Sequence, residues 1–284
     1  MKKSLLFASI LTLGLFSCGG GTSSETTITI AASELPHAKI LKEAIAPVLK
    51  EKGFSLSVTT LEWTQQNSAV ARGEYDANYF QHLPYLESYN AEAGESGALK
   101  MVCKAHFEKL CLYASHTSHK TVENGDTIEL VNDVTNIERA LLLLKDNGIL
   151  SGIADSCYTD GAFTTFNTTS PNSQVTFADN YSNCKLTCIQ ESNLAISLSD
   201  YNFGILPGNA ALTGLGDDYA TRIVFGEKIS DETLSLRANG IVVKPSNVNT
   251  DKTKALVSAF ADASVAKYIS STFGESVIYH YEVL

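Results

Sequence analysis

Strand-like and helix-like segments alternate along most of the chain, and this alternation restricts the fold more than any other feature. Thr27 to Ala32 is rich in β-branched residues and predicts a strand, and residues 36–52 place apolar side chains at helical spacing. The same order recurs where a strand predicted at residues 126–131 is followed by a helix predicted at residues 136–146. Repeated strand-to-helix units are typical of the α/β class.

The order of these units predicts two lobes with a ligand cleft between them. We assign residues 27–107 to the first lobe, residues 108–236 to the second, and residues 237–284 to a return into the first lobe. Ligands of such sheets bind at the carboxyl ends of strands, so we expect a bilobed, periplasmic-binding-protein-like α/β fold. Residues 151–183 are rich in Thr, Ser and Asn and predict loops with short strands.

The N-terminus has the features of an export signal. The apolar run Leu5 to Phe16 is shorter than the roughly 20 residues of a membrane-spanning helix, and it predicts a signal peptide over residues 1–17. The run ends in Leu-Phe-Ser-Cys, which resembles a bacterial lipobox and predicts lipidation of Cys18. Residues 18–26 are mostly small and polar and predict a flexible tether. We expect a membrane-anchored lipoprotein of the cell envelope, on its periplasmic or extracellular face. An ordinary cleaved signal with an incidental cysteine is the alternative.

Charge and missing motifs narrow the function. The 284 residues carry a formal net charge of -10, which disfavours nucleic acid because phosphate binding needs clustered Lys and Arg. The sequence contains no G-x-S-x-G elbow, P-loop, G-x-G-x-x-G or H-E-x-x-H. We therefore predict no catalytic residues, no cofactor and no metal, and we expect a binding protein rather than an enzyme.

Five cysteines lie beyond the predicted lipidation site. They are Cys103, Cys111, Cys157, Cys184 and Cys188. An odd number leaves at least one thiol outside any disulfide within the chain. No second Cys or His pair matches the spacing of the last two cysteines as a metal site would require. Buried thiols, or one disulfide, are favoured over a metal site.

The densest aromatic and polar cluster is DANYFQHLPYL, residues 76–86. Here a predicted strand ends and a helix begins, so side chains at this joint can project into a cleft. Tyr79, Phe80, His82 and Tyr85 combine flat apolar faces with polar tips, which suits them to enclose an aliphatic or thioether side chain. The residues alone leave two interpretations open, a pocket lining and an ordinary core.

The same segment resembles the hallmark of the methionine-binding lipoprotein family, the substrate-binding subunits of a methionine ABC importer. Three further stretches, ELPHAKIL, HFEKLCLYAS and NDVTNIERALLLL, resemble family motifs and follow the family's order. The resemblance runs from Ile28 to the C-terminus and is weakest between Gly152 and Asn183. It implies that the four side chains of the aromatic cluster line the pocket for the ligand side chain.

The resemblance also implies partners for the head group of an amino acid. Arg139 matches the motif arginine expected to hold the ligand α-carboxylate with paired hydrogen bonds, and we place it in the first turn of its helix. A surface arginine paired with Glu138 or Asp133 is the alternative. Asn209 and Asn239 match asparagines that bind the head group, and turn formation is the alternative for each.

Departures from the family pattern lie near the predicted cleft. Leu110 and Cys111 stand where the family has Met-Gly, Pro207 replaces an asparagine, and Ala210 replaces a tyrosine. The resemblance implies a lipid-anchored solute-binding protein that captures methionine and delivers it to ABC transporter permease subunits. Because of the departures, another amino acid, a methionine-containing dipeptide, and a surface adhesin on the same scaffold remain open.

Overall fold

The computed structural model describes residues 26–284. Its strands are β1 (Thr27–Ala32), β2 (Ser55–Thr60), β3 (Ala77–His82), β4 (Lys100–Glu108), β5 (Cys111–Ala114), β6 (Thr127–Val131), β7 (Leu150–Ile153), β8 (Tyr158–Thr159), β9 (Ala162–Phe163), β10 (Val175–Phe177), β11 (Lys185–Ile189), β12 (Phe203–Leu206), β13 (Ile223–Gly226), β14 (Asn239–Val243) and β15 (Val277–Val283).

Ten α-helices are present in the described part of the chain. They are α1 (Ala46–Glu51), α2 (Trp63–Arg72), α3 (Leu83–Gly97), α4 (Val134–Asp146), α5 (Glu191–Ser197), α6 (Gly208–Gly214), α7 (Tyr219–Arg222), α8 (Asp231–Arg237), α9 (Asp251–Phe260) and α10 (Ala263–Phe273). Two π-helical segments, Glu34–Ala38 and Leu41–Ile45, lead into α1. No helix among residues 26–284 is long and apolar enough to cross a membrane.

Two large sheets form the framework. The first has six strands in the order β15-β4-β14-β3-β1-β2, and the second has five in the order β11-β6-β12-β5-β13. In the first sheet β1 runs parallel to β2 and β3, whereas β14 and β15 pair antiparallel with β4. The predicted α/β class is therefore confirmed.

The chain passes between the sheets at two places. Residues 109–110 connect β4 of the first sheet to β5 of the second, and residues 227–238 connect β13 back to β14. The second connection contains α8, which the sequence did not predict. The two connections bring residues from distant parts of the chain to the gap between the sheets.

Each large sheet has its own hydrophobic core. The first core joins β1 to α9 and α10, with Ile30, Leu41 and Phe260 fully buried. The second joins β6 and β12 to α4, with Leu130 and Leu141 fully buried. Burying such a side chain contributes about 1.5–3 kcal/mol, so each core holds its own sheet and leaves the gap to polar and aromatic groups.

Several predicted boundaries differ from the structure. Residues 251–273 form two helices, because Asp262 accepts a hydrogen bond from the Ser264 backbone N–H and begins α10. Helix α4 begins at Val134, with Asp133 accepting from the Asn136 backbone N–H. Arg139 therefore lies in the second turn of α4, and the first-turn placement is wrong.

Candidate ligand-binding site

A cavity lies between the two sheets, next to both connections. The space among its side chains measures about 520 Å³ when the solvent at its open side is included. Both halves of the structure contribute to the lining. The lining residues are Ser33, Trp63, Phe80, Gln81, His82, Tyr85, Glu108, Asn136, Arg139, Glu191, Pro207, Asn209, Arg237 and Asn239.

Three aromatic rings form one wall. Trp63 and Tyr85 meet edge to face with their ring centroids 5.3 Å apart, and Phe80 meets Tyr85 in the same way at 5.6 Å. Edge-to-face rings leave flat apolar faces open to a third group. A thioether sulfur makes favourable contacts with aromatic rings, so this wall can receive the side chain of methionine.

Six of the seven predicted ligand-binding residues line the cavity. They are Phe80, His82, Tyr85, Arg139, Asn209 and Asn239. The seventh, Tyr79, is fully buried elsewhere, and its hydroxyl hydrogen-bonds to His106 Nδ1. Successive side chains of a strand point to opposite faces, and Tyr79 packs on the core face against Phe260. The placement of Tyr79 in the ligand pocket is therefore wrong.

His82 ends β3 and begins α3. Its Nδ1 accepts a hydrogen bond from the Tyr85 backbone N–H, and its Nε2 lies 3.2 Å from Asn136 Oδ1. Burial, together with the charges of Arg237 and Arg139, lowers the pKa of His82 to about 3. His82 is thus neutral at physiological pH and fixes the start of α3, which carries Tyr85.

Arg139 is buried and forms an ion pair. Its partner is neither Glu138 nor Asp133, the two neighbours that the sequence offered as alternatives. Its Nε donates to Glu227 Oε2 at 2.8 Å, and its Nη2 donates to Glu227 Oε1 and to the main-chain oxygen of Glu108. Only 6% of its side chain is exposed. Among the described residues, the hydrogen bonds of Arg139 use Nε and Nη2, so Nη1 remains for a ligand.

Glu108 is a buried carboxylate in the wall of the same cavity. It accepts hydrogen bonds from His106 Nε2 (2.9 Å), Asn239 Nδ2 (2.9 Å) and the Asn209 backbone N–H (2.8 Å). Burial alone would raise its pKa, but nearby His37, His106 and the Asn209 N–H outweigh burial and lower it. Glu108 is therefore an anion in the cavity wall.

The close approach of α6 to Glu108 depends on a glycine. A Cβ at Gly208 would lie 3.0 Å from the main-chain oxygen of Ser276 and 3.4 Å from the Glu108 Cβ. A larger residue would push α6 away and lengthen the bond from the Asn209 N–H to Glu108. This glycine follows Pro207 in the stretch that departs from the family pattern.

Behind Glu108 lies a group that can hold a metal ion. His37, His106 and Glu108 each place one ligand atom within 4.8 Å of the others, and two imidazoles with a carboxylate suit zinc. His37 Nε2 lies 3.2 Å from Glu108, and burial lowers the pKa of His37 to about 3. In the structure His106 and Asn239 donate to Glu108, so these residues form a hydrogen-bonded shell around its charge. The absence of a metal stays a prediction.

The two predicted asparagines present free acceptors. Asn209 Nδ2 donates to Glu191 at 2.6 Å, and its Oδ1 is buried without a hydrogen-bond partner in the described structure. Asn239 uses its Nδ2 on Glu108, which leaves its Oδ1 for another donor. A buried acceptor without a partner costs about 1–3 kcal/mol, and a ligand ammonium would remove that cost at Asn209.

Glu191 adds a second carboxylate beside Asn209. Burial, with the charges of Asp133 and Glu108, raises the pKa of Glu191 to about 7, although the hydrogen bond from Asn209 acts in the opposite direction. A ligand cation nearby would favour its ionised form. Glu191 also lines a neighbouring groove, together with Ser33, Trp63 and Asn209.

Sequence reasoning missed several lining or supporting residues, among them Trp63, Glu108, Glu191, Glu227 and Arg237. Glu108 lies inside the motif HFEKLCLYAS and could have been selected from it. The others carry no local signal, because each reaches the cavity through long-range packing.

The predicted lipidation site Cys18 lies outside the described residues. The five later cysteines are all free thiols, four of them buried. The disulfide that the sequence left open is therefore not formed in this structure.

Comparisons with known proteins identify similar chains. A model of the NlpA lipoprotein family matches residues 28–280. The methionine-binding lipoprotein MetQ of Bacillus subtilis is 40% identical over 160 residues, which cover 53% of this chain and 57% of that relative. A solved lipoprotein from Ruminococcus gnavus is 34% identical with a TM-score of 0.77, covering 90% of this chain and 99% of its own.

A further solved structure contains a ligand. It is a nutrient binding protein from Burkholderia cenocepacia bound to methionine. It is 25% identical to this chain with a TM-score of 0.76, and the alignment covers 89% of this chain and 99% of that one. These likenesses agree with the fold described above.

Proposed function

Because this chain belongs to the NlpA lipoprotein family, and is a substrate-binding protein rather than an enzyme, we propose that its ligand is methionine. The bound amino acid passes to the permease subunits of an ABC importer. Lipidation of Cys18 holds the protein at the membrane, on the periplasmic or extracellular face of the envelope.

One observation carries the proposal, namely that the cavity holds opposite charges at adjacent positions. Arg139 Nη2 donates to the main-chain oxygen of Glu108 at 2.6 Å, while the Glu108 carboxylate lines the same cavity. An amino acid carries a carboxylate and an ammonium on one carbon, so it can meet both groups at once. A neutral ligand would offer no opposite charge to either group.

The ligand head group has a partner at each end. Its carboxylate accepts from Arg139 Nη1, and its ammonium donates to the buried oxygen of Asn209 and to the carboxylates of Glu108 and Glu191. Charge-assisted bonds of this kind contribute about 1.5–3 kcal/mol each. Asn239 positions Glu108 through the 2.9 Å bond from its amide.

The ligand side chain lies against the aromatic wall of Trp63, Phe80 and Tyr85. The rings offer apolar faces, and the rest of the lining, including Glu108, Arg139 and Asn209, is polar. Because water is displaced from both, binding favours a closed arrangement of the two lobes over an open one. The closed form is the one that we expect the permease to recognise.

A methionine-containing dipeptide is a second candidate, and the neighbouring groove favours it. The groove adjoins the cavity through Ser33, Trp63, Glu191 and Asn209, and it measures about 1410 Å³ with solvent included. Glu34 and Glu62 also line it. Extra acidic groups suit the ammonium of a residue added to the amino side of methionine.

Thermal unfolding with added ligand tests the proposal. At a concentration of 100 Kd, a ligand stabilises the folded state by about 2.7 kcal/mol, which corresponds to a rise in Tm of about 5–10 °C for a chain of this size. We expect that rise with L-methionine or D-methionine and no rise with glutamate. Failure of both methionine forms and of glycyl-methionine to raise the Tm would refute the assignment.

A further inference from the structure

The cavity contains a second guanidinium in addition to that of Arg139. Arg237 is the last residue of α8 and lines the cavity with 10% of its side chain exposed. Its Nη1 donates to the main-chain oxygen of Thr135 at 3.1 Å, and its Nη2 lies 3.6 Å from Glu138 Oε2. These contacts hold the guanidinium at the wall and leave Nε without a hydrogen bond in the described structure.

Arg139 by itself cannot hold a carboxylate through two nitrogens. Glu227 occupies Nε and Nη2, and the main-chain oxygen of Glu108 takes the second hydrogen of Nη2. One nitrogen, Nη1, is left. Arginine binds a carboxylate strongly when two of its nitrogens donate parallel hydrogen bonds. Because Arg139 has one nitrogen left, a donor from another residue is required.

The charges of the two arginines are balanced to different degrees. The carboxylate of Glu227 meets Arg139 through two nitrogens, and 11% of the Glu227 side chain is exposed. The carboxylate nearest Arg237 belongs to Glu138, at 3.6 Å, and 27% of that side chain is exposed. Arg237 is therefore the less neutralised cation of the cavity wall.

The two guanidiniums also act on each other. Burial lowers the pKa of Arg237, and the charge of Arg139 lowers it further. Both charges lower the pKa of His82, which lies in the same wall. An anion placed between the two arginines would relieve this repulsion.

We propose that Arg237 is a specificity-determining residue that shares the ligand carboxylate with Arg139, so that a free carboxylate is required for tight binding. This inference rests on the proposed function, because it assigns a residue that binds the carboxylate of the amino acid. Helix α8 leads directly into Asn239 at the start of β14. The connection between the sheets thus brings Arg237 and Asn239 to the head group together.

Calorimetric titration of three variants tests the inference. Arg237→Gln should weaken methionine binding roughly tenfold or more, because one charge-assisted bond is lost. The same variant should change the affinity for methioninamide, which has no carboxylate, by less than about twofold. Arg237→Lys keeps the charge and should lose less than the Gln variant.

Arg222→Gln is the matched control. Arg222 also donates to a main-chain oxygen, that of Ser115, and it lies outside the cavity. Arg222→Gln should leave the affinities for methionine and for methioninamide unchanged. Circular dichroism of each variant checks that it is folded, and the Lys variant carries the test where the Gln variant does not fold.

The outcomes separate this inference from the function on which it rests. If the wild type binds methionine and Arg237→Gln weakens methionine and methioninamide equally, or weakens neither, the inference is wrong and the function stands. If the wild type binds neither methionine nor glycyl-methionine, the proposed function fails and the assignment of Arg237 fails with it.

Discussion

Replacing Glu227 by glutamine removes the charge that faces Arg139. The side chains of this pair are 6% and 11% exposed, so both charges are largely withdrawn from water. Removing one partner of a buried pair costs about 3–5 kcal/mol because the other charge is left without compensation. Glu227 also accepts from the Leu110 backbone N–H at 2.6 Å, a bond that the glutamine oxygen can keep. We therefore expect a loss of about 3 kcal/mol in the free energy of unfolding.

Urea and thermal unfolding, followed by circular dichroism, measure this loss. About 3 kcal/mol corresponds to a decrease in Tm of about 6–12 °C for a chain of this length. Glu232→Gln is the matched control, because Glu232 is an exposed residue of α8 and the substitution makes the same chemical change at the surface. The control should stay within about 0.5 kcal/mol of the wild type. A loss below about 1 kcal/mol for Glu227→Gln would refute the buried pair.

Methionine should oppose the loss caused by Glu227→Gln. The variant leaves the charge of Arg139 without its anionic partner, and a ligand carboxylate at Nη1 can compensate that charge. The rise in Tm at saturating methionine should therefore be larger in the variant than in the wild type. An equal or smaller rise would show that Arg139 does not face the ligand carboxylate.

Two further changes have clear expected results. Burial raises the pKa of Glu129 from 4.5 to about 7, so the wild type loses stability as the pH rises from about 5 to 7 and the carboxyl ionises. Glu129→Gln should be more stable than the wild type by about 2 kcal/mol at pH 8 and show little of this gain at pH 5 in urea unfolding; a gain independent of pH would contradict this. Trp63→Ala should weaken methionine binding roughly thirtyfold in calorimetry, as truncation of a central aromatic contact does, whereas an unchanged affinity would remove Trp63 from the ligand wall.

Local patterns predicted the strands and the aromatic joint. The strand of residues 27–32 has the predicted bounds, because β-branched residues favour extended backbone. The resemblance selected six lining residues. The placement of Tyr79 in the ligand pocket was wrong, because successive side chains of a strand point to opposite faces and that of Tyr79 points into the core.

Long-range pairs explain what the sequence could not predict. The alternatives for Arg139 were Glu138 and Asp133, its neighbours in sequence, yet its partner Glu227 is 88 residues away. Strand β15 pairs with β4 across more than 150 residues, and α8 lies in a polar connection without a long apolar stripe. These features arise from packing between the two halves of the structure, which no local window contains.

Titration of the wild type with methionine and two one-ended analogues tests the central claim most directly. Methioninamide lacks the carboxylate and N-acetylmethionine lacks the ammonium. We expect methionine to bind at one site per chain and each analogue to bind at least roughly tenfold more weakly, since each loses a charge-assisted bond. Equal affinity for all three, or no heat from any of them, would contradict a cavity that holds both ends of an amino acid.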